Sequence, residues 1–244
     1  MATPQRLTLG RTLVLIPAKA GSTRLPRKNI RPLYGISLLG RTIRRAKALT
    51  DIARICVSTE DEEVADEARK FGVEVPFMRP TNLARDPAGV VEVALHALDW
   101  LEAKDEIFET LVILLPTSPF CQVADIEGAI RTYIDQGVDF LMSVSREVHS
   151  PLSSLILKDG RLSPLHPEWL NRTGARADKE LPIIVRANGA VTIVNVAAFR
   201  RERNYYGYPL AAYEMPTERG VDIDTELDFQ FAEFLADRIV GLDD

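Results

Sequence analysis

The chain has 244 residues, 46% of them hydrophobic and 27% charged, with a formal net charge of −5. That length can bury a full core as one large domain, or one domain carrying a modest excursion, and the acidic balance argues against a nucleic-acid binder that works through a broad basic face. No run reaches the ~20 apolar residues that span a bilayer, residues 1–10 lack the apolar stretch of a secretory signal, and Cys56 and Cys121 alone make neither a disulfide framework nor a metal cluster, so a soluble cytoplasmic protein is expected.

Thr12–Pro17 reads as a buried strand, closed by Pro17 and the glycine that follows. The next segment, Lys19 to Asn29, gathers Lys19, Arg24 and Lys28 around Gly21 and Ser22. A small-residue turn lets backbone N–H groups approach an anion, and the cations neutralise it, which suits a small polyanion such as a triphosphate. The spacing is neither a Walker A loop nor a G-x-G-x-x-G fingerprint, and the residues alone leave an ordinary basic surface loop open.

Residues 37–49 place Leu38, Leu39, Ile43, Ala46 and Leu49 at helical spacing, and Arg54–Thr59 forms a second strand. Asp61, Glu62 and Glu63 suit the positive end of the helix that follows, and Gly72 is placed to stop it. Val73–Met78 predicts a third strand, 89–103 a helix, Thr110–Leu115 a fourth strand, Val123–Gln136 a helix and Asp139–Val144 a fifth strand. Non-alternating strands separated by helices predict an α/β fold with a mainly parallel sheet covered on both faces. Ligands in such sheets sit at the carboxyl ends of the strands, here the loops Lys19–Asn29, Ser58–Asp61, Arg79–Asp86 and Pro116–Cys121.

Beyond residue 146 the rhythm changes. Lys158-Asp159-Gly160 reads as a hairpin turn, and 163–182 are loop-rich, so about 146–190 is expected to be a lid or subunit contact within one domain spanning 1–244. Val191–Val194 returns to a strand and Asp224–Val240 forms a last helix. Before it, alternation in Val221-Asp222-Ile223-Asp224 puts Asp222 and Asp224 on one side, a hard carboxylate pair suited to Mg²⁺. Asp224 or Thr225 could equally cap the helix, and the two roles can coexist. His96 reads as a structural histidine within a helix rich in Leu and Ala, and His149 and His166 lack metal-ligand spacing.

These residues together resemble the acylneuraminate cytidylyltransferase family. The likeness is carried by Ile16-Pro17-Ala18-Lys19-Ala20-Gly21-Ser22, Leu25-Pro26-Arg27-Lys28-Asn29, Gly35–Gly40, Val57-Ser58-Thr59-Glu60-Asp61, Arg79-Pro80, Pro116-Thr117-Ser118-Pro119, Arg186–Ala190 and Asp222–Asp228, in order along nearly the whole chain. The resemblance implies a Rossmann-like three-layer αβα nucleotidyltransferase with a small dimerisation excursion, acting as a homodimer. It implies a reaction of CTP with a nine-carbon 2-keto sugar acid, giving the CMP-sugar and pyrophosphate with Mg²⁺. On that template Lys28, Asp222 and Asp224 are catalytic, with Asp222 and Asp224 holding the metal. Lys19, Gly21, Ser22, Arg24, Lys28, Asn29 and Arg79 bind the nucleotide, and Leu115, Thr117, Ser118, Asn188 and Gly189 bind the sugar.

The departures cluster around the sugar. Leu115 replaces a Gln, Val191-Thr192 replaces Ile-Tyr, Ser153 stands in the place of a Lys, and only Arg172 and Arg176 lie near the place of an excursion Arg. Lys19 stands where the family has Arg, keeping the charge but not bidentate contact. Lost polar partners change sugar selectivity, which keeps legionaminic or pseudaminic acid in view. Gly89 and Val90, in place of serines near the base, keep GTP in view. A nucleotide-binding protein without turnover and a D-x-D glycosyltransferase are the readings from other classes. Neither nucleic acid nor membrane is expected as a partner.

Overall fold

A computed structural model describes residues 9–85, 87–147, 149–170 and 182–238. In chain order the elements are β1 (Thr12–Pro17), β2 (Pro32–Leu33), β3 (Ile36–Ser37), α1 (Leu38–Ala48), β4 (Arg54–Ser58), α2 (Glu62–Lys70), α3 (Val90–Glu102), β5 (Thr110–Leu114) and α4 (Val123–Gln136). There follow β6 (Phe140–Arg146), β7 (Leu155–Lys158), β8 (Arg161–Pro164), α5 (Pro167–Leu170), β9 (Val185–Asn195), α6 (Val196–Glu202), β10 (Leu210–Glu214) and α7 (Glu226–Ala236).

Six strands form the central sheet in the order β10-β6-β9-β5-β1-β4. All its pairs are parallel except those of β9, which runs antiparallel between β5 and β6. Alternation along β1 sorts its side chains to the two faces. Val14 and Ile16 meet α1 and α4 through Leu39, Ile43, Ile126 and Ala129. Leu13 and Leu15 meet α3 and α6 through Ala94, Leu98, Leu101 and Phe199. Each such fully buried aliphatic side chain contributes roughly 1.5–3 kcal/mol, so the sheet's burial on both sides is what makes three layers.

Most expected elements stand where the periodicity puts them, and the differences have local causes. Val73–Met78 is not a strand: it makes only isolated parallel bridges, Cys56 to Glu74 and Thr59 to Met78. Pro76 has no N–H to give a ladder there. The strand expected over Val191–Val194 begins at Val185. Besides the two-residue strands β2 and β3 and the short α5, the unforeseen elements are α6, capped by Asn195, whose side chain accepts from the Ala198 N–H at 3.0 Å, and the edge strand β10.

In the excursion, β7 and β8 form the expected hairpin around Asp159 and Gly160, both at positive φ. The rest of its loop-rich part includes the short α5, and Arg172 and Arg176 lie outside the described residues. The last helix is shorter than expected, and Val240 also lies outside the described residues.

Candidate active site

β1, β4 and β5 run parallel, so the loops after Pro17, Ser58 and Leu114 emerge at one edge of the sheet. Between these loops and the start of α3 lies a cleft of about 250 Å³. Lys19, Lys28 and Asn29 line one side, Arg79, Leu83, Ala88 and Gly89 another, and Leu115, Pro116 and Thr117 the floor side. Asp222 and Asp224 complete it from nearly the far end of the chain.

The phosphate-type loop is held by its own side chains. Asn29, buried, donates from Nδ2 to the Lys19 carbonyl at 2.8 Å. The Ser22 hydroxyl accepts from the Leu25 N–H at 3.3 Å, and Leu25 is buried against Leu33, Leu38 and Ile223. Gly21 and Ser22 sit in the turn beyond the cleft walls, and a methyl group on Gly21 would meet nothing within 4 Å. The open space beside the turn leaves its backbone approachable.

The acidic segment arrives because Ile223 is fully buried, while its N–H donates to the Thr117 carbonyl at 2.8 Å. Burying Ile223 turns its neighbours Asp222 and Asp224 the other way, toward the cleft. Gly220 permits the approach: a Cβ there would collide with Ser145 Oγ. Thr225 caps α7 and Asp228 closes a capping box, accepting from the N–H groups of Thr225 (2.7 Å) and Asp224 (3.1 Å). Capping falls to Thr225, which leaves the Asp224 side chain for other work.

That side chain is gripped by the basic loop. Lys28 Nζ donates to Asp224 Oδ1 at 2.8 Å and to the Ile223 carbonyl at 2.9 Å, and Arg24 donates to Asp224 Oδ2 at 2.7 Å. Lys28 is largely enclosed, with 11% of its side chain exposed, whereas Arg24 is mostly in solvent at 64%, so the Lys28 pair is the stronger of the two. Asp222 has a carboxyl shifted above the ordinary carboxylate range, first because surrounding protein strips its water and also because Asp224 lies beside it. The Thr117 hydroxyl and Lys28 pull the other way. Two neighbouring carboxylates, one of them shifted upward in part by the charge of the other, form a donor set that a divalent cation relieves. Among the described residues no group of three or more His, Cys, Asp or Glu side chains is placed so that it could hold a metal ion by itself. A cation here must therefore draw further ligands from water and phosphate, which is how Mg²⁺ is commonly bound.

A second cleft, about 160 Å³, opens next to the first, and Val90, Leu115 and Asp222 border both. Its walls include Ile113, Met142, Gly189, Thr192, Tyr205 and Tyr206. Ser143 and Asn188 also line it but are occupied with each other. The Ser143 hydroxyl donates to Asn188 Oδ1 at 2.5 Å and accepts from the Val191 N–H at 2.8 Å, and Asn188 Nδ2 donates to Ser145 at 2.9 Å. Ser118, 1% exposed, is not in either wall; its hydroxyl approaches the Asn188 carbonyl at 3.5 Å. Thr117 is the hydroxyl that reaches the nucleotide-side cleft.

His96 packs edge-on against Phe77 at 5.0 Å, and burial holds its pKa down, in keeping with a structural role. Several residues of the site escaped the sequence reading. Glu60 contacts both Ala20 and Arg79. Tyr205 and Tyr206, after α6, reach the second cleft. The Tyr205-Tyr206 pair, following a run of Arg and Glu, was the one visible signal, since adjacent aromatics in a polar stretch are good pocket material.

A model of the cytidylyltransferase family matches residues 13–166. The chain is similar to a CMP-N,N'-diacetyllegionaminic acid synthase of Legionella pneumophila, 28% identical over 239 residues, covering 92% of this chain and 96% of that protein. It is similar to a pseudaminic acid cytidylyltransferase of Campylobacter jejuni, 25% identical over 225 residues, covering 92% and 96%. In fold it is similar to a solved CMP:2-keto-3-deoxy-manno-octonic acid synthetase complexed with CTP, with a TM-score of 0.69 at 15% identity, covering 93% of this chain and 99% of that one.

Proposed function

As the chain belongs to the cytidylyltransferase family and is a nucleotidyltransferase, we propose that it joins CTP to a nonulosonic acid, giving the CMP-sugar and pyrophosphate. The observation that carries this is the pair of abutting clefts that share Asp222, one bringing Lys19, Lys28 and Arg79 to the two carboxylates, the other lined by two tyrosines among mixed polar and apolar groups. A triphosphate held against Lys19 and Lys28 has its α-phosphorus near the shared wall. The sugar lies in the second cleft with its anomeric hydroxyl turned toward that phosphorus. The hydroxyl oxygen bonds to phosphorus, the bond to the β-phosphate oxygen breaks, the hydroxyl proton passes to solvent and pyrophosphate leaves. Positioning and charge stabilisation carry such transfers.

Lys28 orients Asp224 and offers its charge to the phosphates, and Asp222 and Asp224 would hold Mg²⁺. When bound, Mg²⁺ supplies neutralisation of the charge on the phosphate oxygens. Release of pyrophosphate from CTP with a panel of nonulosonic acids and Kdo tests the reading. Release that requires both Mg²⁺ and one acid of the panel supports it, and no CMP-sugar with any of them sinks it. Gly89 and Val90 border the nucleotide cleft without a polar side chain, so a GTP competition in the same assay checks the base.

Within this activity the second cleft favours a legionaminic- or pseudaminic-type acid over a polyhydroxylated one. Leu115, Ile113 and Met142 offer no hydrogen bonds and the Ser143 and Asn188 side chains are committed to each other, so against those residues a substrate hydroxyl loses water without a partner, and the other hydrogen-bonding side chains of the wall are Thr192, Tyr205, Tyr206 and Asp222. Acylamino and methyl groups suit such walls better.

The protein is expected to act as a homodimer in the cytoplasm. Leu157 and Leu162 on the hairpin are 70% and 65% exposed, with Leu155 and Ile156 beside them, an apolar surface that a second copy would cover. Free, buried Cys56 and Cys121 suit a reducing compartment. No helix among the described residues is long and apolar enough to cross a membrane.

A further inference from the structure

Glu60 stands two residues beyond β4, behind the nucleotide cleft rather than in its walls, where it touches both the loop after β1 and the cleft-lining Arg79. Its Oε1 accepts the Ala20 N–H at 2.9 Å, and its Oε2 accepts a close bond from the Arg79 guanidinium. Both partners are enclosed: the Arg79 side chain is 2% exposed and that of Glu60 11%. Ala20 is the pivot of the loop, since its carbonyl also accepts from Ser22 at 3.0 Å and from Arg27 at 3.4 Å. Arg79 is fixed at its backbone as well, donating to the Thr59 carbonyl at 2.7 Å. With one terminal nitrogen on Glu60, the Arg79 Nε remains buried without a hydrogen-bond partner among the described residues, so Glu60 is the carboxylate that compensates this enclosed guanidinium at the cleft wall.

We propose that Glu60 is a positioning residue that ties the phosphate-side loop to Arg79, so that the two walls of the nucleotide cleft are set at one spacing by a single carboxylate. The inference rests on the nucleotidyltransferase reading of that cleft. Its physical basis is that a buried guanidinium with a fixed carboxylate partner holds one orientation, whereas without it the charge is uncompensated and must move toward water. Glu60 acts through Arg79 and Ala20, so its removal acts on nucleotide binding and on discrimination among bases.

Calorimetric titration with CTP and Mg²⁺ tests this on the full chain, with thermal melting as the folding control. Glu60→Gln keeps the size but sets an amide donor against the guanidinium, and CTP affinity should fall about tenfold or more. The preference for CTP over UTP should narrow in parallel, which a merely structural loss would not cause. In an Arg79→Ala background the same substitution should add about twofold or less, because coupled residues are not additive. Should Glu60→Gln fail to fold, Glu60→Asp keeps the charge but reaches one partner at a time, and its affinity should fall about threefold or more. Affinity within twofold of wild type, or effects of the two substitutions that simply multiply, overturns the proposal. Wild-type protein that binds no CTP sinks the functional reading and this inference together, whereas wild-type binding with an indifferent Glu60 variant sinks the inference alone.

Discussion

Lys28 and Asp224 lie 196 positions apart in the chain and meet with Nζ 2.8 Å from Oδ1. The contact joins the loop after the first strand to the segment before the last helix, so neither half of the site is complete alone. Replacing Lys28 by Ala removes a phosphate cation and leaves Asp224, among the described residues, with the exposed Arg24 as its cationic partner. Turnover should fall by about two orders of magnitude or more, the scale of losing one charge-stabilising donor. Steady-state pyrophosphate release measures it, and near-normal activity would remove Lys28 from the site.

Asp222 borders both clefts, and its carboxyl is shifted above the ordinary carboxylate range. Asp222→Ala should abolish turnover with the melting temperature unchanged or raised, because the substitution removes a crowded charge and no core packing. Chelation by EDTA should silence the wild type, with recovery on adding Mg²⁺. Normal turnover by the variant, or activity indifferent to EDTA, would discard the metal assignment.

The order of these residues in the chain explains what could be read from it. β1, β5 and the helices around them announce themselves because each is a local pattern of burial, and Asp222-Ile223-Asp224 does so by alternation. What stayed hidden depends on long-range pairing. Val73–Met78 has strand composition, but Pro76 denies it a ladder. β10 is an edge strand whose partner β6 lies some seventy positions upstream, with residues such as Ala212 and Glu214 that carry no strand pattern. Asn188 looks like a sugar ligand in sequence, and only the fold shows its side chain committed to Ser143 and Ser145. Glu60 was visible within a motif, but its two contacts were not.

Leu115 separates the two clefts, and its Cδ1 lies 3.3 Å from where a Cβ on Gly189 would stand. Leu115→Gln is close in volume and adds an amide to a wall whose own amide, on Asn188, is committed to Ser143 and Ser145. The ratio of kcat/KM for a polyhydroxylated sialic acid over a diacylamino acid should rise by about tenfold or more, the effect of pairing one buried hydroxyl. A ratio that stays put under this substitution would show that Leu115 does not select the sugar.

Cys56 and Cys121 are buried free thiols whose pKa values burial pushes up to about 12 and about 11. A raised thiol pKa means less thiolate at a given pH, so at pH 8 on the order of a thousandth or less of each is reactive. Native protein should give no fast phase with a disulfide reagent, and two thiols should appear on unfolding in guanidinium. Rapid stoichiometric labelling of the folded protein would show that one of them is open to solvent.

Asp228 lies outside the cleft walls yet holds the backbone of the acidic segment. Its Oδ2 accepts from the N–H groups of Thr225 and Asp224 and from the Thr225 hydroxyl at 2.8 Å, while its own N–H donates to that hydroxyl at 3.3 Å. Asp228→Ala removes three acceptor contacts at the start of α7 and the favourable charge at its positive end. The lost cap costs about 1 kcal/mol, which for a chain of this size lowers the melting temperature by about 2–4 °C. Turnover should fall further than that modest destabilisation alone would allow, because Asp224 is no longer held at the angle that meets Lys28. Two variants separate the effects: Thr225→Ala weakens the same cap but keeps the Asp228 carboxylate on the Asp224 N–H. If Asp228→Ala and Thr225→Ala lower the melting temperature alike and also lose activity alike, the positioning of Asp224 by Asp228 is refuted and only helix capping remains.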